Sequence, residues 1–251
     1  DHPHFSSFVF KVQTNMNPQH RDRLVFARVC SGRFDRDLKV YHQRLKRFIR
    51  LSDSYNLFGR DRELAEEAYP GDIIGFVTKL DFRIGDTIST DPKLSYSEIP
   101  RFPPECFGFL TNITAASQKA FRKGLDHLLA EDIVQPFFLY GSPAVLPLLG
   151  AMGPLQFEVL QYRLRDEYKA ESHLEMKPWT LSRWVDSPLD DEELTRHLPL
   201  GANLAKDDRG RRAVLFTSEW SRQYLEDRNP SLRLLESPDG HLFADPVPVP
   251  G

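Results

Sequence analysis

With two cysteines in 251 residues, Cys30 and Cys106, the chain has neither the number for a disulfide framework nor the spacing of a metal site. Both read as buried, reduced thiols of a cytosolic protein. Long apolar runs are also lacking. The longest, residues 143–155 (PAVLPLLGAMGPL), is too short and too often broken by proline to cross a bilayer, and no signal peptide opens the chain. No membrane partner is expected, and the location expected is cytoplasmic. The first residue is Asp1 rather than methionine, which fits a fragment or a processed product.

Reaction chemistry is missing as well. A loop that cradles phosphate needs clustered glycines followed by lysine, so that backbone amides and an ammonium surround the same oxygens; none of the 14 glycines precedes a lysine. Residues 72–75 (DIIG) and 207–210 (DDRG) spell a DxxG string used by nucleotide-binding proteins, but the first follows a turn at a strand start, and alone the string reads as structural. There is no GxSxG elbow and no HExxH pair. The adjacent carboxylates Glu66-Glu67 and Glu192-Glu193 point apart on a strand or helix, and His173 with Glu175 would share one strand face as ordinary surface. No catalytic, cofactor-binding or metal-binding set is expected.

What the chain does have is unevenly placed charge. The formal net charge is −3, yet residues 11–50 hold eleven basic side chains (Lys11, Arg21, Arg23, Arg28, Arg33, Arg36, Lys39, Arg44, Lys46, Arg47, Arg50) against Asp22, Asp35 and Asp37. The remainder is acidic on balance. Such asymmetry lets a chain touch a polyanion without being basic overall. The same run also suits a solvated sheet exterior whose arginines pair with neighbouring carboxylates.

Up to about Thr90 the pattern is one of strands: FVFKV, LVFARV, DLKVY, RFIRL, GDIIGFV and FRIGDTIS, separated by turn chemistry such as CSGR and YPGD, with Pro70-Gly71 suited to the centre of a type II turn. Short strands at this spacing predict a closed or sandwiched β domain. The proline-bearing stretch DPKLSYSEIPRFPPE then reads as a linker. After Glu105 the period becomes helical. Thr114 is placed to cap a helix running to about Glu131 with Phe121, Leu125, Leu128 and Leu129 on one stripe; Pro154 opens another with Phe157, Leu160, Leu164 and Tyr168 on one face. With strand candidates FGFLTNI, VQPFFLY, AVLPLLGA and ESHLEMKPW, the order is strand, helix, strand, strand, helix, strand, the split βαβ arrangement. An acidic helix (residues 190–198), a strand RRAVLFT, a helix SEWSRQYLEDR and a strand LRLLES extend it.

Taken together, FVFKVQTNMNPQHRDRLVFARVCSG, GRDRELAEEAYPGDIIGF, IGDT and IPRFPPE resemble the second domain of bacterial peptide-chain release factor 3, a family of translational GTPases. SQKAFRKGLDHLLAEDIVQPF, GAMGPLQFEVLQYRLRDEY and TLSRWVD resemble its third, C-terminal domain, so the likeness runs from about Phe8 to Leu235. The resemblance implies two domains: a β-barrel over 1–92 like the second domain of elongation factor Tu, a linker over 93–105, and an α+β domain over 106–240 with a split βαβ (ferredoxin-like) core and extra C-terminal strands and helices. The last stretch, 241–251, reads as a disordered tail. NITAAS and SEWSRQYLEDRNPSLRLLESPDG depart from the family pattern in their residues.

The implied role is GTP-dependent removal of class I release factors from the ribosome after peptide release. GTP and magnesium would be held by a GTPase domain that these residues do not include. The implied partners are the ribosome (small-subunit rRNA and protein), class I release factors indirectly and the factor's own GTPase domain, with the protein a monomer. A stand-alone RNA-binding or scaffold protein built from the same domains is the alternative. Arginine meets phosphate oxygens with a planar fork of donors, so docking on ribosomal RNA points to Arg21, Arg23, Arg33, Arg36, Lys39 and Arg44 as candidate contacts. Arg28 shares a strand face with Leu24 and Phe26 and is expected to be less free to reach outward than Arg21 and Arg23. The C-terminal domain is expected to act as a rigid lever toward a protein partner.

Overall fold

The computed structural model describes residues 3–14, 23–51, 54–58, 61–64, 66–96, 101–142 and 146–238, with backbone alone at 54–58 and 61–64. Two compact units divide the chain, Asp1–Ile99 with Ala130–Asp132, and Pro100–Leu129 with Ile133–Gly251.

The first unit is built from strands β1 (Ser6–Gln13), β2 (Arg23–Ser31), β3 (Phe34–Asp35), β4 (Lys39–His42), β5 (Arg47–Arg50), β6 (Ser54–Phe58), β7 (Asp61–Leu64), β8 (Glu67–Ala68), β9 (Ile73–Thr78) and β10 (Thr87–Ser89). Among the described residues eight of them form an antiparallel sheet in the order β5-β4-β10-β1-β2-β9-β6-β7, and β3 pairs with β8 apart from it. Alternation sets the buried face: β2 turns Val25, Ala27 and Val29 inward. In β1 both Val9 and Val12 are buried although three apart, because the pairing with β2 shifts register between Val9 and Lys11; the extra residue of this bulge resets which side faces in. Val40, Ile74, Phe76 and Ile88 from β4, β9 and β10 join the same cluster, with Phe5, Phe34 and Phe82. A sheet whose central strands all feed one core must curl round it, leaving β5 and β7 as its two ends.

Two backbone sites hold the curl. Gly71 (φ +104) follows Pro70 in a turn closed by the Asp72 N–H on Tyr69 O (2.9 Å), the type II geometry that Pro-Gly favours. At Gly32 (φ +64) a Cβ would lie 2.5 Å from the backbone of His4 and Phe5, so only glycine lets the two segments approach so closely. The Phe5 carbonyl accepts the Thr90 N–H (2.9 Å) and the Ser89 hydroxyl (2.8 Å).

In the second unit the chain runs β11 (Cys106–Asn112), a 3-10 turn (Ala115–Ser117), α1 (Gln118–Ala130), β12 (Gln135–Leu139), β13 (Leu148–Ala151), α2 (Pro154–Tyr168), β14 (Ser172–Lys177), β15 (Leu181–Asp186), α3 (Asp191–His197), β16 (Asn203–Asp207), β17 (Arg212–Phe216), α4 (Glu219–Arg228) and β18 (Arg233–Leu235). Among the described residues eight strands form a second antiparallel sheet, ordered β14-β11-β13-β12-β16-β17-β15-β18. Phe121, Leu125 and Leu128 of α1 pack with Phe157, Leu160 and Leu164 of α2 over Leu110 and Leu149. Phe107, Phe137, Leu148 and Trp184 form a separate core, as alternation along each strand requires. Leu194 of α3 and Leu225 of α4 cover Val214 and Phe216 in a further cluster.

Several expectations are corrected. Thr114 precedes the 3-10 turn rather than α1, and its hydroxyl meets Ser117 Oγ (2.7 Å) instead of a helix N–H. Cys30 is exposed and Cys106 half-buried, because Cys30 lies on the face of β2 opposite Val29. Strands β3, β6, β7, β8, β15 and β16 have no counterpart among the expected elements. The tail over 241–251 lies outside the described residues.

Candidate nucleic-acid interface

Of the six candidate RNA contacts, Arg21 lies outside the described residues; the other five fall into three settings. Arg23 opens β2, and its guanidinium donates to Asp81 Oδ1 (2.8 Å) and to Phe82 O (3.4 Å). Arg44, in the turn after β4, donates from Nε and Nη2 to the two Asp86 carboxylate oxygens (2.8 and 2.9 Å) and from Nη1 to Asp81 Oδ2 (3.4 Å). Arg83 Nε also reaches Asp81 Oδ2, at 3.4 Å. Two carboxylates thus neutralise much of three arginines.

Asp86 is the anchor of that setting. Its side chain is 4% exposed, and it accepts the Arg83 N–H (2.8 Å) beside the Arg44 fork. Fully buried His42 brings Nε2 to 3.1 Å of the same carboxylate, while its Nδ1 accepts the Leu45 N–H (3.3 Å); the ring proton therefore sits on the nitrogen facing Asp86. Burial alone would raise the Asp86 pKa. The close His42 ring, with the hydrogen bonds from Arg44 and the Arg83 N–H, outweighs it and holds the carboxyl below its ordinary value. Asp81 is lowered similarly, its desolvation outweighed by Arg23, Arg83 and Arg44.

Arg33 and Arg36 occupy the second setting. Pairing of β3 with β8 sets Asp35 opposite Glu67, so Arg33 meets Asp35 (2.9 Å) and Glu67 (3.5 Å) and Arg36 meets Glu66 (2.8 Å). Three carboxylates here exceed two arginines.

Lys39 belongs to a third setting, the hairpin β4–β5 at the sheet edge. Cross-strand register sets Lys39 opposite Arg50 and Tyr41 opposite Phe48, which puts all four on one face. Phe48 is 49% exposed, its ring 5.1 Å from that of Tyr41, and the Lys39 ammonium stands 5.0 Å from its centre. Lys46 in the turn (φ +51), Arg47 and Arg50 are exposed and form no ion pair with any described residue. Lys39 and Arg50 share the face of this open ring, while Lys46 lies in the turn and Arg47, opposite His42, on the other face; four cations with no described carboxylate bound to them can meet phosphates, and the ring can stack a base. Lys46, Arg47 and Arg50 were part of the basic run but not among the candidate contacts; the signal available was the alternation of Phe48 and Arg50 opposite Lys39 and Tyr41. Arg28 also departs from expectation. It is exposed, whereas the Arg23 side chain is only 20% exposed and bound.

Neither DxxG string forms a phosphate site. The Asp72 carboxylate accepts the Tyr69 N–H (2.8 Å) and so braces the Pro70-Gly71 turn. Asp207 is buried in the turn joining β16 to β17 and accepts from Trp184 Nε1 (3.0 Å), the Arg209 and Arg211 N–H groups (2.9 Å each) and Arg211 Nε (2.8 Å). Among the described residues no cluster of three His, Cys, Asp or Glu is arranged to hold a metal ion, and no helix is long and apolar enough to cross a membrane.

Both parts of the chain resemble known proteins. The family model described as "Class II release factor RF3, C-terminal domain" matches residues 96–226, and "Elongation factor G domain 2" matches residues 4–91. The chain is 45% identical over 234 residues to peptide chain release factor 3 of Synechococcus elongatus, covering 93% of this chain and 42% of that protein. Against peptide chain release factor 3 of Gloeobacter violaceus the identity is 44% over 232 residues, with 92% and 44% covered; against that of Symbiobacterium thermophilum it is 42% over 232 residues, with the same coverage. The chain spans less than half the length of these relatives. A crystal structure of a Thermus thermophilus protein is similar in fold, with a TM-score of 0.57 and 17% identity, over 81% of this chain and 30% of that one.

Proposed function

The chain belongs to the family of class II release factor RF3, and from that membership we propose that it serves in translation termination, docking a ribosome-dependent GTPase on the ribosome and coupling the docked state to the rest of the factor. In this reading the whole factor uses GTP to release class I release factors after the peptide has left. GTP and its magnesium ion are assigned to the part of the relatives' length that these residues do not span, and no cofactor is assigned here. The protein acts as a monomer in the cytoplasm. The order β11-α1-β12-β13-α2-β14, in sheet order β14-β11-β13-β12, supports reading the second unit as a split βαβ core enlarged by β15 to β18.

The observation that carries the docking proposal is the β4–β5 hairpin, which carries Lys39, Lys46, Arg47 and Arg50 without a described carboxylate partner, together with exposed Phe48. It is the RNA-facing surface in this reading, with Arg21 and exposed Arg28 as further candidates. Arg23, Arg33, Arg36 and Arg44 contribute less, because phosphate must compete with carboxylates already bound to them. The test is small-subunit affinity against salt for the protein with Lys46, Arg47 and Arg50 replaced by alanine. Each phosphate contact removed flattens the slope of log affinity on log salt by about 0.7 to 0.9, so a change of about 2 is expected. An unchanged slope takes the hairpin out of the interface.

A further inference from the structure

The second unit holds a cleft that RNA docking leaves unused. Trp220 and Tyr224, one turn apart on α4, stack with ring centres 5.3 Å apart and 30° between planes, and the Arg228 guanidinium lies 4.6 Å from the Tyr224 ring centre. Trp220 is 70% exposed while Trp179 and Trp184 are buried, and Leu200, in the segment leaving α3, is fully exposed. These side chains line a cleft of about 590 Å³. An indole and a leucine held open beside a tyrosine leave apolar area in water that a partner could bury, and Trp, Tyr and Arg are the residues that dominate binding hot spots.

Charge narrows the occupant. No carboxylate lines the cleft, whereas Arg196, His197 and Arg228 do. Arg196 is held by Glu192 (2.5 Å), but Arg228 has no carboxylate partner among the described residues. The carboxylates of these two helices are largely engaged elsewhere: Asp190 caps α3, Asp191 pairs with Lys206, Glu192 with Arg196 and Glu219 with Arg222. A strand of phosphates calls for several free cations in a row, whereas the lining offers one guanidinium without a described carboxylate partner, Arg228, which suits a single carboxylate. We propose that this cleft takes a short peptide segment of another protein, seating an apolar side chain against Trp220 and Leu200 and an adjacent carboxylate on Arg228. The proposal does not depend on the hairpin reading.

A phage-displayed library of random peptides, selected on the intact protein, tests it. The enriched peptides are expected to place a Phe, Leu or Trp beside Asp or Glu and to shield Trp220 emission from acrylamide, a readout specific to the cleft because the other two tryptophans are buried. Arg228→Gln and Leu200→Ser change surface residues and should each weaken the best peptide about tenfold, the loss of one charge-assisted bond or one apolar contact. The proposal is overturned if selection enriches nothing or basic peptides, or if neither substitution weakens binding. It is equally overturned if oligouridylate, or concentrating the protein alone, shields Trp220 in place of peptide.

Discussion

Arg44 and Arg47 stand three residues apart in one hairpin and meet opposite fates. Arg44 folds back onto Asp81 and Asp86, some forty positions downstream, with His42 buried behind the same carboxylate. Arg47 stays in solvent, as do Lys46 and Arg50 of the same hairpin. Their neighbourhoods in the sequence are nearly the same, so the difference comes from what the sheet brings alongside. One cluster is inward-looking and holds the turn after β4 to the segment before β10; the other is left with charge to spend on a partner.

Substitutions can test that contrast. The largest effect is expected for Asp86→Ala, which strands the Arg44 guanidinium and removes the group facing buried His42; a loss of about 3 kcal/mol, read from urea unfolding, follows from breaking a mostly buried charge network. A loss below about 1 kcal/mol would mean that the cluster is held by something else. The next effect is on acid stability. The Asp86 carboxyl is held below its ordinary value of 3.8, so its contribution is fully present above that value and is lost as pH falls through the lower folded value. Unfolding curves for the parent and Asp86→Asn should therefore converge below about pH 4, and a gap that stays constant to pH 2 would contradict the assignment. By contrast, Arg47→Ala with Arg50→Ala should shift stability by less than about 0.5 kcal/mol, since nothing is unpaired by their loss. These cations also lie on an edge strand, where charge discourages another strand from adding on. Sedimentation of this variant separates the two roles: self-association that rises with concentration would give the cations an edge-guarding duty as well. Smallest of all is Arg36→Ala, which removes an exposed pair with Glu66 worth about 0 to 1 kcal/mol and should leave ribosome affinity unchanged within error.

The parts that were legible in the sequence are those written in local periodicity. Phe121, Leu125 and Leu128 marked the buried stripe of α1, Pro154 marked the start of α2, and Pro70-Gly71 marked its turn. Strands β15 and β16 escaped because LSRWVD and NLAKD carry mixed patterns whose burial is decided by distant partners, β17 above all. The basic run marked a cationic region but not which of its side chains are already bound by carboxylates. Arg23 and Arg44 are bound by Asp81 and Asp86, and no spacing rule within residues 11–50 signals carboxylates that pairing brings from beyond it. Even β1 misleads a strict alternation, since its bulge turns both Val9 and Val12 inward.

The tie between the Phe5 carbonyl and the Ser89 and Thr90 groups has a bearing on biosynthesis. A nascent chain that has not yet exposed Thr90 lacks both the last strand and the clasp holding the first one, so the leading unit has no stable half-built stage and must wait in the unfolded state until nearly all of it has emerged. Nascent chains stalled before Ser89 clears the exit tunnel should be cut readily by protease, and those stalled after Ser95 clears it should resist.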